Sequence, residues 1–228
     1  MTAREKLRLA TLISGSGSNM AAIARACANG LIDAQIVQVI ADRAAAGGIE
    51  LAKSLKLPTA LIESAGHANR EDHEQSVNAT IDHSRAQLVV LAGYMRILSV
   101  AFVSKYSGRL INIHPSLLPQ YKGLHTHRRV LQAGEREHGA SVHFVSADLD
   151  GGPVICQARV PVLPGDTEQS LAARVLAREH QIYPKAIALI AEGRVQLSGD
   201  RVLFDGRPLA APLGCGDDSP VIAQQRHG

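Results

Sequence analysis

Short, unbroken apolar runs separated by amphipathic stretches constrain this chain more than any other feature. Leu7–Ile13 and Gln35–Ile40 read as strands, and Met20–Ala28 between them as a helix. Gly48–Leu55 and Arg70–Ser84 are again helical, the second on the spacing of Val77 and Ile81 among charges. Gln87–Ala92, nearly all apolar, and Arg109–Ile113 complete the series. A strand with no polar side needs cover on both faces, and helices alternating with such strands supply it. The pattern predicts an α/β fold with a mostly parallel sheet and helices on both faces.

The later part has a different rhythm. Ala140–Val145 and Val154–Val160 alternate apolar with polar residues and flank Asp150-Gly151-Gly152-Pro153, which predicts half-exposed antiparallel strands joined by a loop. Thr167 to about Glu192 reads as helical, with a break or kink expected at Pro184, which has no N–H to donate. Arg201–Leu209 suggests a final hairpin around Asp205-Gly206. Pro212–Gly228 is Gly-, Pro- and polar-rich, so residues 213–228 are expected to form a flexible tail. With no repeat or linker in view, the expectation is a single domain over 1–228 with its core at about 7–208.

Composition excludes several classes. A chain of 228 residues with 46% hydrophobic content is no disordered segment, and with 3% aromatics its core must be built from Ala, Val, Leu and Ile. Lys+Arg 24 against Asp+Glu 21 gives +3, too little for a dedicated nucleic-acid binder. The three cysteines, Cys27, Cys156 and Cys215, form neither a CxxC nor an even framework, which argues against a disulfide scaffold or structural zinc and for a reducing compartment. The apolar run after the basic N-terminus ends at Ile13, short for a signal peptide, and Leu88–Ala92 falls far below the ~18 residues of a membrane span. A soluble, cytoplasmic protein acting on small molecules, with no nucleic-acid or membrane partner, is the expectation.

Three segments could carry chemistry. Ser14-Gly15-Ser16-Gly17-Ser18-Asn19 follows the first strand and opens the first helix, where close-approaching backbone N–H groups can hold a phosphate. The same residues would also serve as a plain turn capped by Ser18 or Asn19. A dinucleotide site is a sharper rival, with Asp42 at the end of the second strand as a ribose-binding acid. Met20 occupies the third glycine position of that fingerprint, however, which favours a single phosphate. Next, Asn112 and His114 lie on one face at the C-terminal end of a buried strand, where open α/β sheets bind ligands. An amide and an imidazole pointing together can polarise a carbonyl and hold an oxyanion. Third, Asp150 in Asp148-Leu149-Asp150-Gly151-Gly152-Pro153 could raise the pKa of His114 if the fold brings them together, making a general acid. His125, His127 and His143 form no credible metal set, so no metal is expected.

Taken in order, Ser14–Asn19, Gly93–Leu98, Asn112–Pro119, Gly123–His127, Ser141–Phe144 and Asp148–Val154 resemble the family of folate-dependent phosphoribosylglycinamide formyltransferases, from about Leu7 to about Pro208. The resemblance implies a Rossmann-like sheet with antiparallel strands in its C-terminal part. It also implies transfer of the formyl group of the co-substrate 10-formyltetrahydrofolate to the amine of N1-(5-phospho-D-ribosyl)glycinamide, a step of purine biosynthesis. Gly17, Ser18 and Asn19 would then hold the phosphate, and Leu176, Ala177, Arg178 and Glu179 would complete the nucleotide site, Glu179 on the ribose or the amine end. Folate contacts would come from Arg70, Met95, Arg96, Ile97, Leu98, Asn112 and Ser146, Ala147, Asp148, Leu149 and Asp150. His114, Asn112 and Asp150 would be catalytic, and the assembly a monomer or homodimer.

Two departures stand out: Lys122 where relatives usually carry proline, and Ala41-Asp42-Arg43 in place of a small-polar stretch with asparagine. Both are expected to lie away from the chemistry. Rival readings are a 10-formyltetrahydrofolate hydrolase or another formyltransferase of the same fold. The Gly-Ser-Asn phosphate loop speaks against hydrolysis. With so few aromatics, pterin recognition is expected to rest on aliphatic and backbone groups around Met95–Leu98.

Overall fold

The computed structural model describes residues 5–214. Its main sheet begins with strand β1 (Leu7–Ile13), followed by helix α1 (Ser18–Ala28), β2 (Ala34–Ala41), α2 (Gly47–Ser54), β3 (Thr59–Leu61), α3 (Arg70–Ser84), β4 (Leu88–Leu91), α4 (Val100–Lys105) and β5 (Leu110–His114). Then come α5 (Thr126–Ala133), β6 (Glu137–Phe144), β7 (Val154–Pro161), α6 (Glu168–Ala191), β8 (Val195–Ser198), β9 (Arg201–Phe204), β10 (Arg207–Pro208) and β11 (Leu213–Gly214). The strands run β11-β7-β6-β5-β4-β1-β2-β3 in one eight-stranded sheet, and β10-β9-β8 form a small separate one. From β3 to β5 all neighbours are parallel, whereas β6 is antiparallel to β5 and β7 to β6.

Period-two alternation divides each central strand between two apolar layers. Leu9 and Ile13 of β1 and Leu88 and Val90 of β4 pack with Met20 and Ile23 of α1 and Tyr183 and Ile187 of α6. Ala10 and Leu12, with Val89 and Leu91, face Val77 and Ile81 of α3 and Phe102 and Tyr106 of α4. Burying both faces in this way accounts for strands without a polar side. The strand order reverses between β1 and β4, and such a switch point opens a crevice beyond the carboxyl ends of the strands.

Three expectations need correction. The helix over Glu168–Ala191 runs unbroken through Pro184. Ile182, Tyr183, Ala186 and Ile187 around the proline are fully buried, and the Tyr183 hydroxyl is shared between the carbonyls of Leu91 and Ile111, at 3.0 and 3.2 Å. That packing outweighs the one backbone bond a proline removes. Strand β6 is buried after Glu137 along its whole length rather than half-exposed. Helix α6 covers one face, and the loop after β5 covers the other, where the Leu118 N–H and the Gln157 amide both donate to Ser141 Oγ. Finally, Leu213 and Gly214, assigned from sequence to a flexible tail, pair in parallel with Cys156 and Gln157 at the sheet edge. The remainder of that tail, 215–228, lies outside the described residues. No helix among the described residues is long and apolar enough to cross a membrane.

Candidate active site

At the switch point the loops after β1 and β4 are tied together. The Ser14 N–H donates to the Gly93 carbonyl at 3.0 Å, and the Met95 N–H donates to Ser14 Oγ at 2.9 Å. Gly17 precedes α1 at φ 73, in the left-handed region, and no side chain caps the helix, so neither Ser18 nor Asn19 is its cap. A Cβ on Gly17 would lie 2.8 Å from the Cα of Gly48, and one on Gly48 would lie 2.6 Å from Ile13 Cδ1 and 3.0 Å from the Gly15 carbonyl oxygen. The loop therefore hugs the start of α2, and its shape depends on the absence of side chains at both positions.

Asn19 Nδ2 donates to Glu179 Oε2 at 2.7 Å, joining the first turn of α1 to the middle of α6. Burial raises the Glu179 carboxyl above its usual range, with the Asn19 bond opposing. Its sequence neighbours differ in placement. Leu176 and Ala177 are exposed, and Arg178 donates to Gln181 Oε1 at 2.9 Å. Glu179 thus meets Asn19, the last residue of the Ser14–Asn19 segment.

The second half of the site stands on β5 and β6. Their antiparallel register sets Asn112 opposite His143 and His114 opposite Ser141, so all four side chains share one face. Asn112 Nδ2 lies 3.2 Å from His143 Nε2, and His143 Nδ1 lies 2.9 Å from the Phe144 carbonyl oxygen. His114 Nε2 lies 3.0 Å from the Tyr121 carbonyl oxygen. That oxygen only accepts, so Nε2 carries a hydrogen and Nδ1 is left facing Asp150 Oδ2 at 3.4 Å. Asp150 itself sits at φ 47 in the loop after β6 and accepts from the Gly123 N–H at 2.9 Å. This turn is compact because Gly152 presses on β6: a Cβ there would lie 1.8 Å from the Phe144 carbonyl oxygen.

The fold thus brings Asp150, from the loop after β6, to Asn112 and His114 at the end of β5. Around them a cavity of about 520 Å³ is lined by Met95, Arg96, Ile97, Leu149 and Asp150, and a neighbouring one of about 130 Å³ by Leu98, Ser146, Ala147 and Asp148. Arg70 stands apart from both linings, half-exposed at the start of α3 and 3.8 Å from Glu71. Met95, Ile97, Leu124 and Leu149 expose more than half of their surface at the cavity rim. Tyr94, an aromatic ring not counted on from sequence, lines both cavities, and burial raises its phenol well above the ordinary value.

Sequence reasoning gave His143 no role of its own beyond a place in the Ser141–Phe144 segment of the resemblance and in a rejected metal set. The signal was present, because Ser141 and His143 repeat on β6 the polar-at-every-second-residue pattern of Asn112 and His114. Burial lowers the His143 pKa, opposed by the bond to Phe144 and by Asp150, while His114 and Lys122 add to the lowering. Lys122 accordingly lies nearer the chemistry than expected, and Asp42 acts electrostatically on Tyr94 at the cavity wall. A further pair, His127 Nδ1 and His138 Nε2, meets at 3.0 Å under α5. Among the described residues no group of three or more His, Cys, Asp or Glu could hold a metal ion.

Residues 7–187 match the family described as Formyl transferase. The phosphoribosylglycinamide formyltransferase of Escherichia coli is 47% identical over 203 residues, covering 89% of this chain and 96% of that protein. The solved structure of the corresponding enzyme from Coxiella burnetii superposes with a TM-score of 0.89 at 48% identity, over 93% of this chain and 100% of that one. A formyltetrahydrofolate deformylase from Pseudomonas putida is more distant, at 25% identity and a TM-score of 0.81, over 90% of this chain and 72% of that one.

Proposed function

The chain belongs to the formyl transferase family, and from that premise we propose that it transfers the formyl group of 10-formyltetrahydrofolate to the amine of N1-(5-phospho-D-ribosyl)glycinamide in purine biosynthesis. The observation that carries the reading is the meeting of His114, Asn112 and Asp150 in the lining of a cavity whose Gly93 and Met95 are hydrogen-bonded to Ser14 of the glycine loop. The folate supplies an electrophilic formyl carbon and the nucleotide an amine. All else falls to the chain's own residues.

Gly17, Ser18 and Asn19 bind the phosphate through the backbone of the loop, with no side chain standing between Gly17 and Gly48. Buried Glu179 orients Asn19 and faces the sugar or the amine end. An apolar rim of Met95, Ile97 and Leu149, with Arg96 and Tyr94, takes the folate, and Arg70 meets its acidic tail from outside the cavity. Aliphatic and backbone groups therefore share pterin recognition with one tyrosine.

When the amine attacks, negative charge develops on the formyl oxygen beside Asn112 and His114. A proton on His114 Nδ1 makes the ring an imidazolium, stabilised by the Asp150 carboxylate 3.4 Å away. His114 donates that proton and the amide of Asn112 steadies the oxygen; on collapse the proton on the oxygen passes to the departing folate nitrogen, and the attacking amine gives up its own proton to His114. No covalent enzyme intermediate and no metal is needed.

The deciding assay follows formyl transfer and folate consumption together. Purified protein should convert glycinamide ribonucleotide and 10-formyltetrahydrofolate to the N-formyl nucleotide at a rate unchanged by chelators. Equal folate consumption with the nucleotide omitted would establish the hydrolase instead.

A further inference from the structure

We propose that His143 is a positioning residue for this transfer: its Nε2 lone pair holds the Asn112 carboxamide with the nitrogen turned toward it, leaving the second amide N–H for the formyl oxygen. The inference rests on the formyl-transfer reading for its kinetic consequence, but not for its geometry.

The argument is one of donors and acceptors. His143 Nδ1 lies 2.9 Å from the Phe144 carbonyl oxygen, which only accepts, so the hydrogen of the neutral ring is on Nδ1. Nε2 is then a bare acceptor, and its neighbour at 3.2 Å is the Asn112 amide. An acceptor there selects the amide nitrogen over the amide oxygen, a choice that the β5 backbone does not make. Were the ring protonated at Nε2, the preference would reverse and the amide would turn its oxygen inward. The environment holds the ring neutral. His143 is 2% exposed, and of the charged or titratable groups facing it, Lys122 and His114 disfavour a second positive charge, while Asp150, with Oδ1 3.8 Å from Nε2, favours one. Burial is the largest of these influences.

The register makes the contact hard to replace. Asn112 and His143 are directly opposed across β5 and β6, so the pair is held by the sheet rather than by a loop. His143 itself is not required to touch either substrate, which distinguishes it from His114.

Three measurements test the proposal. His143→Leu removes the acceptor and should lower kcat by ~10–10²-fold, while KM for both substrates stays within about twofold, because a misaligned oxyanion donor costs rate and little binding. His143→Gln, which can present Oε1 to the amide, should recover at least several-fold of that loss. In an Asn112→Ala background, His143→Leu should cost nothing further, since its route to the chemistry is already gone. An unchanged kcat in His143→Leu, or a full multiplicative loss in the double variant, overturns the proposal. Should His143→Leu not fold, nitrogen-15 NMR of the wild-type protein decides. The expected signature is the neutral Nδ1–H tautomer at pH 7.5, and a protonated or Nε2–H ring overturns the inference. A wild-type enzyme that consumes folate without formylating the nucleotide would refute the proposed function while leaving this NMR result to stand or fall independently.

Discussion

The two ends of the site are built on opposite physical devices. At the glycine end, Gly17 and Gly48 carry no side chains where two backbone segments meet, and the controlling quantity is volume. At the histidine end, His114, Asp150, Asn112 and His143 are set by donors, acceptors and partial burial, so the controlling quantity is where protons reside. Both devices join separate segments: the first sets the turn after β1 against the start of α2. The second spans β5, β6 and two loops. An added methyl group should therefore damage one end, and a changed proton inventory the other.

The strongest break of that comparison comes from the histidine end. His114→Ala and Asp150→Asn should each lower turnover by at least ~10²–10³-fold while nucleotide affinity, measured by calorimetry, stays nearly intact. Wild-type turnover in Asp150→Asn would dissolve the proposed pair. At the other end, Gly48→Ala places a methyl group 3.0 Å from both the Gly15 oxygen and the Gly17 Cα. It should destabilise the protein by ~1–3 kcal/mol and weaken nucleotide binding ~10-fold, leaving folate affinity unchanged. Parallel binding titrations with the two ligands would show whether the damage is confined as argued.

Acid should weaken the fold from the histidine side. Burial pushes His138 down to about 4 from its ordinary 6.5, with His127 and His114 adding to the lowering. A folded-state pKa below the unfolded one means that the unfolded chain takes up the proton first as pH falls. Stability is thus whole above about pH 6.5 and declines as pH drops toward 4, and His127, His143 and His180 shift in the same direction. Urea melts at pH 7.5 and 5 should show the loss, and His138→Asn should make it shallower. The smallest effect belongs to Arg70→Ala. Because this side chain is half-exposed and outside the cavities, it should raise KM for folate only a few-fold, and less at high salt.

Where the sequence reading succeeded, the structural cause lay within a few residues. Leu7–Ile13 and Arg70–Ser84 could be bounded from the chain alone because an apolar run and the spacing of Val77 and Ile81 are local signals. Helix α5 was not legible, since Thr126–Ala133 carries mostly polar side chains and buries just Thr126 and Val130. Pro184 misled for the opposite reason. Its local cost was plain, but the burial of α6 against the sheet that outweighs it was not. The site divides in the same way. Asn112 and His114 were recognisable as a pair on one strand face, whereas the role of His143 depended on a register that only the pairing of β5 with β6 supplies.

For this protein, the linear order of apolar runs and glycines by itself determined the parallel α/β core, the turn that can cradle a phosphate and the strand end that presents an amide and an imidazole. Those outcomes follow from backbone sterics and side-chain periodicity, which act over a few residues. Only the tertiary structure decided that Asp150 reaches His114, that Glu179 holds Asn19 across two helices, and that His143 meets the Asn112 amide. Proton placement depends on distances of a few ångströms between segments remote in the chain, and no local pattern encodes those distances.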